Sequence, residues 1–246
     1  MTALAKKQNS TDTVSTILEK VRALGPTLRE RALAAERAGR HSDETIADLA
    51  ATGVFDIGSP AEFGGAELSV RDQLDVVTEV SKWDGSVGWT VWAGASTNWI
   101  PAGMGPRVIE EVYSPAWAGP RTAGSSHFPA SRGRVKRVAG GWMIFGGPWT
   151  FGSDALWAPF TNLGCIADEG DGPFLVGLQV PIEEFEFLDD WNVAGMRATG
   201  SVSITLKTEE LFVPDYRGID FRELTSGAIE SGLGGSLWRA PTLGWA

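Results

Sequence analysis

Two short runs gather aromatic, hydroxyl and guanidinium groups at close spacing: Trp149-Thr150-Phe151-Gly152-Ser153 and Gly195-Met196-Arg197-Ala198-Thr199-Gly200-Ser201. Flat rings supply an apolar wall, hydroxyls exchange hydrogen bonds with a polar edge, and a guanidinium carries a permanent positive charge. Such a set suits a planar ligand with a hydrogen-bonding rim, held away from water. Taken alone, a Gly-, Thr- and Ser-rich run around one arginine is a polar turn. Its interest lies in its position, downstream of the tryptophan run and just before Phe212-Val213-Pro214. Trp149 and Phe151 also have a plainer reading as strand core.

Other reactive groups are sparse. Cys165 is the single cysteine, so no internal disulfide forms, and in an apolar strand it reads as buried and inert. His41 and His127 lie too far apart in sequence to suggest a ligand pair, and no metal site is expected. The run Arg132, Arg134, Lys136 and Arg137 reads as the solvated edge of a strand, a phosphate role being the alternative.

Composition limits the partners. The 246 residues are 43% hydrophobic, enough to bury a sizeable core. A formal charge of −10 and a pI near 4.7 oppose binding to phosphate backbones or anionic lipid, so no nucleic acid and no membrane partner is expected. Small molecules are the expected partners. Met1 to Ser10 lacks the apolar stretch of a secretion signal, and a cytoplasmic protein is expected.

The elements that must position these residues change character near residue 115. An amphipathic helix is expected from Asp12 to Arg37, interrupted or bent at Gly25-Pro26. Ser42 caps a second helix that stops at Gly53, Ser69 opens a third, and Asp84 caps a fourth, Val87 to Asn98, apolar or small almost all round and therefore buried. Pro106 suits the first turn of a short helix ending at Tyr113. Beyond Trp117 the pattern alternates. Arg134 to Val138 and Trp142 to Phe145 flank Gly140-Gly141 as a hairpin, and strands are expected at Phe160 to Ile166, Phe174 to Val180, Phe185 to Leu188 and Val202 to Phe212. The fold class is α+β: an N-terminal all-helical domain at 1–116, then a small antiparallel β-barrel or sandwich at 117–225. Residues 226–246 read as a Gly- and Ser-rich linker and the start of a further segment.

In this order the motifs resemble the acyl-CoA dehydrogenase superfamily, and within it the two-component flavin-dependent monooxygenases of the 4-hydroxyphenylacetate hydroxylase oxygenase type. The resemblance rests on Leu49-Ala50-Ala51-Thr52-Gly53-Val54-Phe55, Pro60-Ala61-Glu62-Phe63-Gly64-Gly65, Asp84-Gly85-Ser86-Val87-Gly88-Trp89, Gly140-Gly141-Trp142 with Gly146-Gly147-Pro148-Trp149, and Trp191 to Ser201. It extends over nearly the whole chain.

The resemblance implies an oxygenase that hydroxylates an aromatic or apolar small molecule with O2 and reduced flavin, FMNH2 or FADH2, from a separate flavin reductase. It implies a homo-oligomer as well. Trp149 would pack near the flavin ring, with Phe151 beside it, and Thr150 or Ser153 would hydrogen-bond around N5, making Ser153 a catalytic candidate. Phe151 stands where acyl-CoA dehydrogenases carry a hydroxyl residue, so the choice between Thr150 and Ser153 stays open. The loop Ala123-Gly124-Ser125-Ser126 resembles the family's flavin-facing loop, through Gly124 and Ser125. Arg197, Thr199 and Ser201 would line the cofactor or substrate edge. His127, just after that loop, is the candidate acid or base, since imidazole titrates near neutrality; a surface loop histidine is the plainer reading. Thr97-Asn98-Trp99 stands where some relatives carry a substrate-side histidine. Leu237 to Pro241 resembles the start of the family's C-terminal helical bundle, which is expected to be missing. Two other functions stay open: an acyl-CoA dehydrogenase acting on a thioester with FAD, and a non-catalytic truncated fragment that binds a ligand or partner chain.

Overall fold

A computed structural model describes residues 3–97, 99–102, 104–113, 116–124, 132–170 and 172–226. Helix α1 spans Ala3–Ala38 and passes through Pro26 without a break. An interior proline costs a helix about 3 kcal/mol, and tertiary packing offsets it here. Ile17, Val21 and Leu28 are buried on both sides of the expected interruption. Gly25 also lies so close to the Trp83 indole that an added Cβ would sit 2.1 Å from its Cε2. Gly25→Ala would improve helix propensity by up to about 1 kcal/mol but must displace that ring, an overpacking cost of roughly 1–3 kcal/mol. A lower urea midpoint is the expected outcome.

Helix α2, Asp43–Thr52, starts where Ser42 Oγ accepts from the Thr45 amide at 3.2 Å and ends at Gly53, whose φ of 90° only glycine adopts readily. Ser69 caps α3, Val70–Ser81, in the same way. Asp84 Oδ1 accepts from the Ser86 and Val87 amides and opens α4, Gly85–Thr97. Nearly all of α4 is buried, as its composition implies, but Trp89 is half exposed. Two shorter helices follow, α5 at Trp99–Ala102 and α6 at Pro106–Tyr113. Leu49, Phe55, Leu68, Val76, Val80 and Val91 join α1 in one apolar core.

The strands are β1 Thr122–Gly124, β2 Gly133–Val138, β3 Gly141–Gly146, β4 Phe160–Glu169, β5 Gly172–Pro181, β6 Phe185–Phe187, β7 Ile204–Leu206, β8 Glu210–Pro214 and β9 Gly218–Asp220, before helix α7 at Phe221–Ser226. The main sheet runs β8-β3-β2-β4-β5-β9 with β1 also on β4, while β6 and β7 pair separately. The hairpin β2–β3 forms around Gly140 as expected, with Val135 opposite Ile144. The sheet is mixed rather than purely antiparallel: β1 and β2 lie end to end along one edge of β4, both parallel to it. Alternation in sequence marks strands but carries no pairing direction. The single strand expected over Val202 to Phe212 divides at Lys207-Thr208-Glu209, because β7 pairs with β6 and β8 with β3.

Inward residues of these strands, among them Val135, Ile144, Leu163, Cys165 and Leu178, form a second core together with Trp149. Burial pushes the Cys165 thiol up to about 12, which fits an inert cysteine. The basic run is not the expected edge, because β2 lies between β3 and β4; Lys136 pairs with Glu210 and Arg137 with Asp215, and the Arg137 guanidinium lies over the Trp142 ring. The two halves are tied by the buried Arg121, whose Nε donates to Asp56 at 2.7 Å, and by the Thr97 hydroxyl, which donates to the Thr122 carbonyl at 2.8 Å. The expected linker and the Leu237 to Pro241 motif, within 227–246, lie outside the described residues.

Candidate functional site

The two runs that could do chemistry are bound to each other through the backbone. Trp149 and Ile204 exchange both main-chain hydrogen bonds at 2.9 Å, and the Gly152 amide donates to the Val202 carbonyl at 2.9 Å. An added Cβ on Gly152 would lie 2.9 Å from that same carbonyl oxygen, so the close approach requires glycine. Gly200, at φ 54°, sits under Leu156, where a Cβ would come within 2.7 Å of its side chain. The Gly124 amide donates to the Ser153 carbonyl at 3.1 Å, which brings the end of β1 to the same point.

Four side chains then form one hydrogen-bonded line. The Trp89 indole Nε1 donates to Ser153 Oγ at 3.0 Å, Ser153 and Ser201 hydroxyls are 3.0 Å apart, Ser201 and Thr199 hydroxyls are 2.9 Å apart, and Thr199 Oγ1 donates to the Met196 carbonyl at 3.0 Å. Each of these distances is that of a true hydrogen bond. Ser201 and Thr199 are 2% and 1% exposed, whereas Ser153 keeps 9% of its surface. Ser153 is thus the residue of the three that keeps the most surface. Around it stand exposed aromatics: Trp89, and Phe151, 61% exposed and edge-on to Trp191 at 5.8 Å. Phe151 holds a φ of 60° and Met196 a φ of 57°, left-handed conformations that cost a non-glycine residue energy and that cluster at ligand sites.

Not every residue singled out by sequence reaches this point. Trp149 presents no surface to a ligand, a correction to the expectation that its ring packs against a flavin. Its indole donates to the Gly164 carbonyl at 3.0 Å and its ring meets Phe185 at 5.9 Å inside the strand core. Thr150 is half-buried beside it. Arg197 pins the turn to the end of α1, with Nε donating to the Glu36 carbonyl at 3.2 Å and Nη1 to Asn192 Oδ1 at 3.1 Å. The Thr97 hydroxyl points back at main-chain carbonyls. Ser125, His127 and Asn98 lie outside the described residues. Among the described residues no cluster of His, Cys, Asp and Glu could hold a metal, and no helix is long and apolar enough to cross a membrane.

Two residues beside the line were not assigned to the site from sequence, although Trp89 ends the Asp84 to Trp89 motif. Trp89 is a large ring on a helix of otherwise small, buried residues, and that contrast is the signal that could have marked it. Asp154, next to Ser153, is fully buried at a φ of 68°, and neither carboxyl oxygen has a hydrogen-bond partner among the described residues. Burial pushes its carboxyl well above the usual carboxylate range. Its Oδ2 faces α4, 3.3 Å from where a Cβ on Gly94 would be.

Residues 11–105 match the family model "Acyl-CoA dehydrogenase, N-terminal domain". The chain is 34% identical to "Pigment production hydroxylase" of Rhodococcus sp. (strain ATCC 21145), over 88% of this chain and 54% of that one. It is 30% identical to "Flavin-dependent monooxygenase, oxygenase subunit HsaA" of Rhodococcus jostii (strain RHA1), over 85% of this chain and 53% of that one. Among solved structures it superposes on XiaF from Streptomyces sp., determined in complex with FADH2 and glycerol, with a TM-score of 0.83 and 27% identity over 97% of this chain and 59% of that one. The chain spans about half the length of the curated relatives it matches.

Proposed function

We infer function from the premise that this chain belongs to the acyl-CoA dehydrogenase superfamily, on its branch of two-component flavin-dependent monooxygenases. The activity we propose is hydroxylation of an aromatic or similarly apolar small molecule with O2 and reduced flavin, FMNH2 or FADH2, delivered by a separate reductase. A cytoplasmic homo-oligomer belongs to the same proposal.

The observation that carries it is the line of hydroxyls that ends at Ser153, beside the exposed rings of Trp89 and Phe151. Those residues fit a reduced flavin. The ring needs a flat apolar surface, which Phe151 and Trp89 offer, and its polar edge needs hydrogen-bond partners, which Ser153 offers. When bound, the flavin supplies two electrons, so that one atom of O2 enters the substrate as hydroxyl and the other leaves as water. The chain's own part is to hold and shield. Ser153 bonds the ring edge, while Ser201 and Thr199 fix its hydroxyl from behind. Gly124 ends β1, and the resemblance assigns Ser125 after it to the cofactor and His127 to acid or base work on the substrate. Arg197 holds the turn that carries Thr199 and Ser201, and the aromatic rim keeps water out.

Anaerobic titration of the whole chain with FMNH2 and FADH2, then exposure to 18O2 with a panel of phenols, tests the reading. Saturable binding and one labelled oxygen in a hydroxylated product are expected. Binding without labelled product would favour a non-catalytic chain, and no binding would remove the flavin from this site.

A further inference from the structure

We propose that His41 is a positioning residue for the turn that follows Ser153, and that acid releases its grip: the neutral ring pins residues 154–158 between α1 and α4, and protonation frees them and weakens ligand binding at Ser153. The ligand part of this inference rests on the flavin reading above.

His41 lies where three elements meet, at the corner between α1 and α2. It is 1% exposed, its ring donates to the main chain of Ser86 in the first turn of α4, and its centroid is 5.9 Å from that of the Trp157 ring. Trp157 belongs to the turn after Ser153. Its amide and that of Ala158 donate to the Asp154 carbonyl at 3.0 Å, while its side chain packs against the helical core. The same end of α1 also holds the second run: Glu36 Oε2 accepts from the Ala198 amide at 3.3 Å, and Gly200 lies against Gly39 and Arg40. A shift at this corner therefore reaches both halves of the hydroxyl line.

An apolar side chain would fill this place without leaving a polar atom unmet, so the imidazole calls for a reason. Its Nε2 has no hydrogen-bond partner among the described residues. With the other nitrogen donating to Ser86, the neutral ring leaves Nε2 as a bare acceptor. Protonation puts a hydrogen there with nothing to accept it, and a charge in the interior. The charged groups around the ring are engaged elsewhere. From α1, Glu36 accepts from Ala198, and Arg40 lies over the Trp157 ring at 5.6 Å and pairs with Asp43 of α2. Before α4, Asp84 Oδ1 accepts from the Ser86 and Val87 amides, and in the turn Asp154 directs its carboxyl at Gly94. Burial lowers the ring's value below its ordinary 6.5, against the opposing pull of Asp84, the Ser86 bond and Glu36. The neutral ring's contribution is therefore whole above pH 6.5 and is lost as pH falls below it, toward the folded value. Over that window an opened corner, with the ring solvated and protonated, gains population by up to about tenfold per pH unit.

Hydrogen exchange of the whole chain, read by mass spectrometry one pH unit above and one below 6.5 and corrected for intrinsic rates, tests the grip without any ligand. In the wild type, residues 152–158 are expected to lose protection by up to about tenfold at the lower pH, while β4 keeps its own. His41→Phe keeps a ring against Trp157 but cannot titrate, and should show no such loss. His41→Asn, which keeps a donor for Ser86, makes the same comparison if the phenylalanine variant does not fold. A folded non-titrating variant with the wild-type acid response, or a wild type with none, overturns the proposal. Anaerobic titration with FADH2 at both pH values then reads the coupling: relative to the variant, wild-type affinity should fall by a similar factor at the lower pH. Unchanged affinity beside a loosened turn overturns the link to the ligand. A chain that binds no flavin at either pH overturns the flavin reading, while the exchange result still decides the role of His41.

Discussion

Trp149→Ala is expected to destabilise the chain by roughly 3–5 kcal/mol, the range for removing a fully buried large aromatic. The ring fills a slot whose walls are backbone: added Cβ atoms at Gly133 and Gly147 would fall 2.3 and 2.8 Å from it. Glycine main chain cannot swing in to close the cavity. The Gly164 carbonyl also loses its 3.0 Å donor inside the core, a further penalty of about 1 kcal/mol. Against a total stability of roughly 5–15 kcal/mol for a domain, such a loss is a large fraction. Chemical denaturation followed by circular dichroism measures it. Trp149→Phe keeps the ring volume and should cost less, and it separates the two roles a tryptophan could have here. Because the indole has no exposed face, flavin affinity in Trp149→Phe should stay within a few-fold of the wild type. A folded Trp149→Phe protein that no longer bound flavin would make the indole a cofactor contact after all.

That tryptophan shows where sequence reasoning reaches its limit. Capping is local chemistry, so Ser42, Ser69, Asp84 and Gly53 announce helix ends that the fold confirms. The glycines at 140 and 141 announce the β2–β3 hairpin for the same reason. Residue types at the site were legible too: Ser153, Thr199 and Ser201 stand out as hydroxyls in glycine-rich runs, and the structure brings them together. Their order in a line was not legible, because it depends on main-chain bonds between two distant segments and on an indole from α4. Nor was the burial of Trp149. A ring that follows Gly146-Gly147-Pro148 sits past the end of the alternating strand β3, where period two no longer tells inside from outside. The intact α1 has a similar cause, since the Trp83 indole that packs on Gly25 belongs to a different part of the chain. Asp154 was the least legible of all: an acid beside a serine in a glycine-rich run looks like solvated surface, and only the approach of α4 makes it a buried one.

Asp154→Asn is therefore expected to stabilise the chain near neutral pH, by an amount that grows with pH. Burial opposes ionisation of this carboxyl in the folded state and raises its value, while in the unfolded chain it ionises at an ordinary carboxylate value near 4. A folded-state value raised above the unfolded one gives a definite sign. The contribution is fully present below pH 4, where both states are protonated, and is lost as pH rises toward the folded value. For as long as the buried group keeps its proton, each pH unit above 4 costs about 1.4 kcal/mol of stability. An amide does not titrate, so the variant lacks that slope. Wild type and variant should have similar stability near pH 4 apart from the local cost of fitting an NH2 group against Gly94, and their difference should widen as pH rises above 4. Urea unfolding at a series of pH values reads this directly, and parallel curves for the two proteins would show that Asp154 is ionised or partnered in the fold. Flavin affinity should be little changed in Asp154→Asn, whose side chain faces α4.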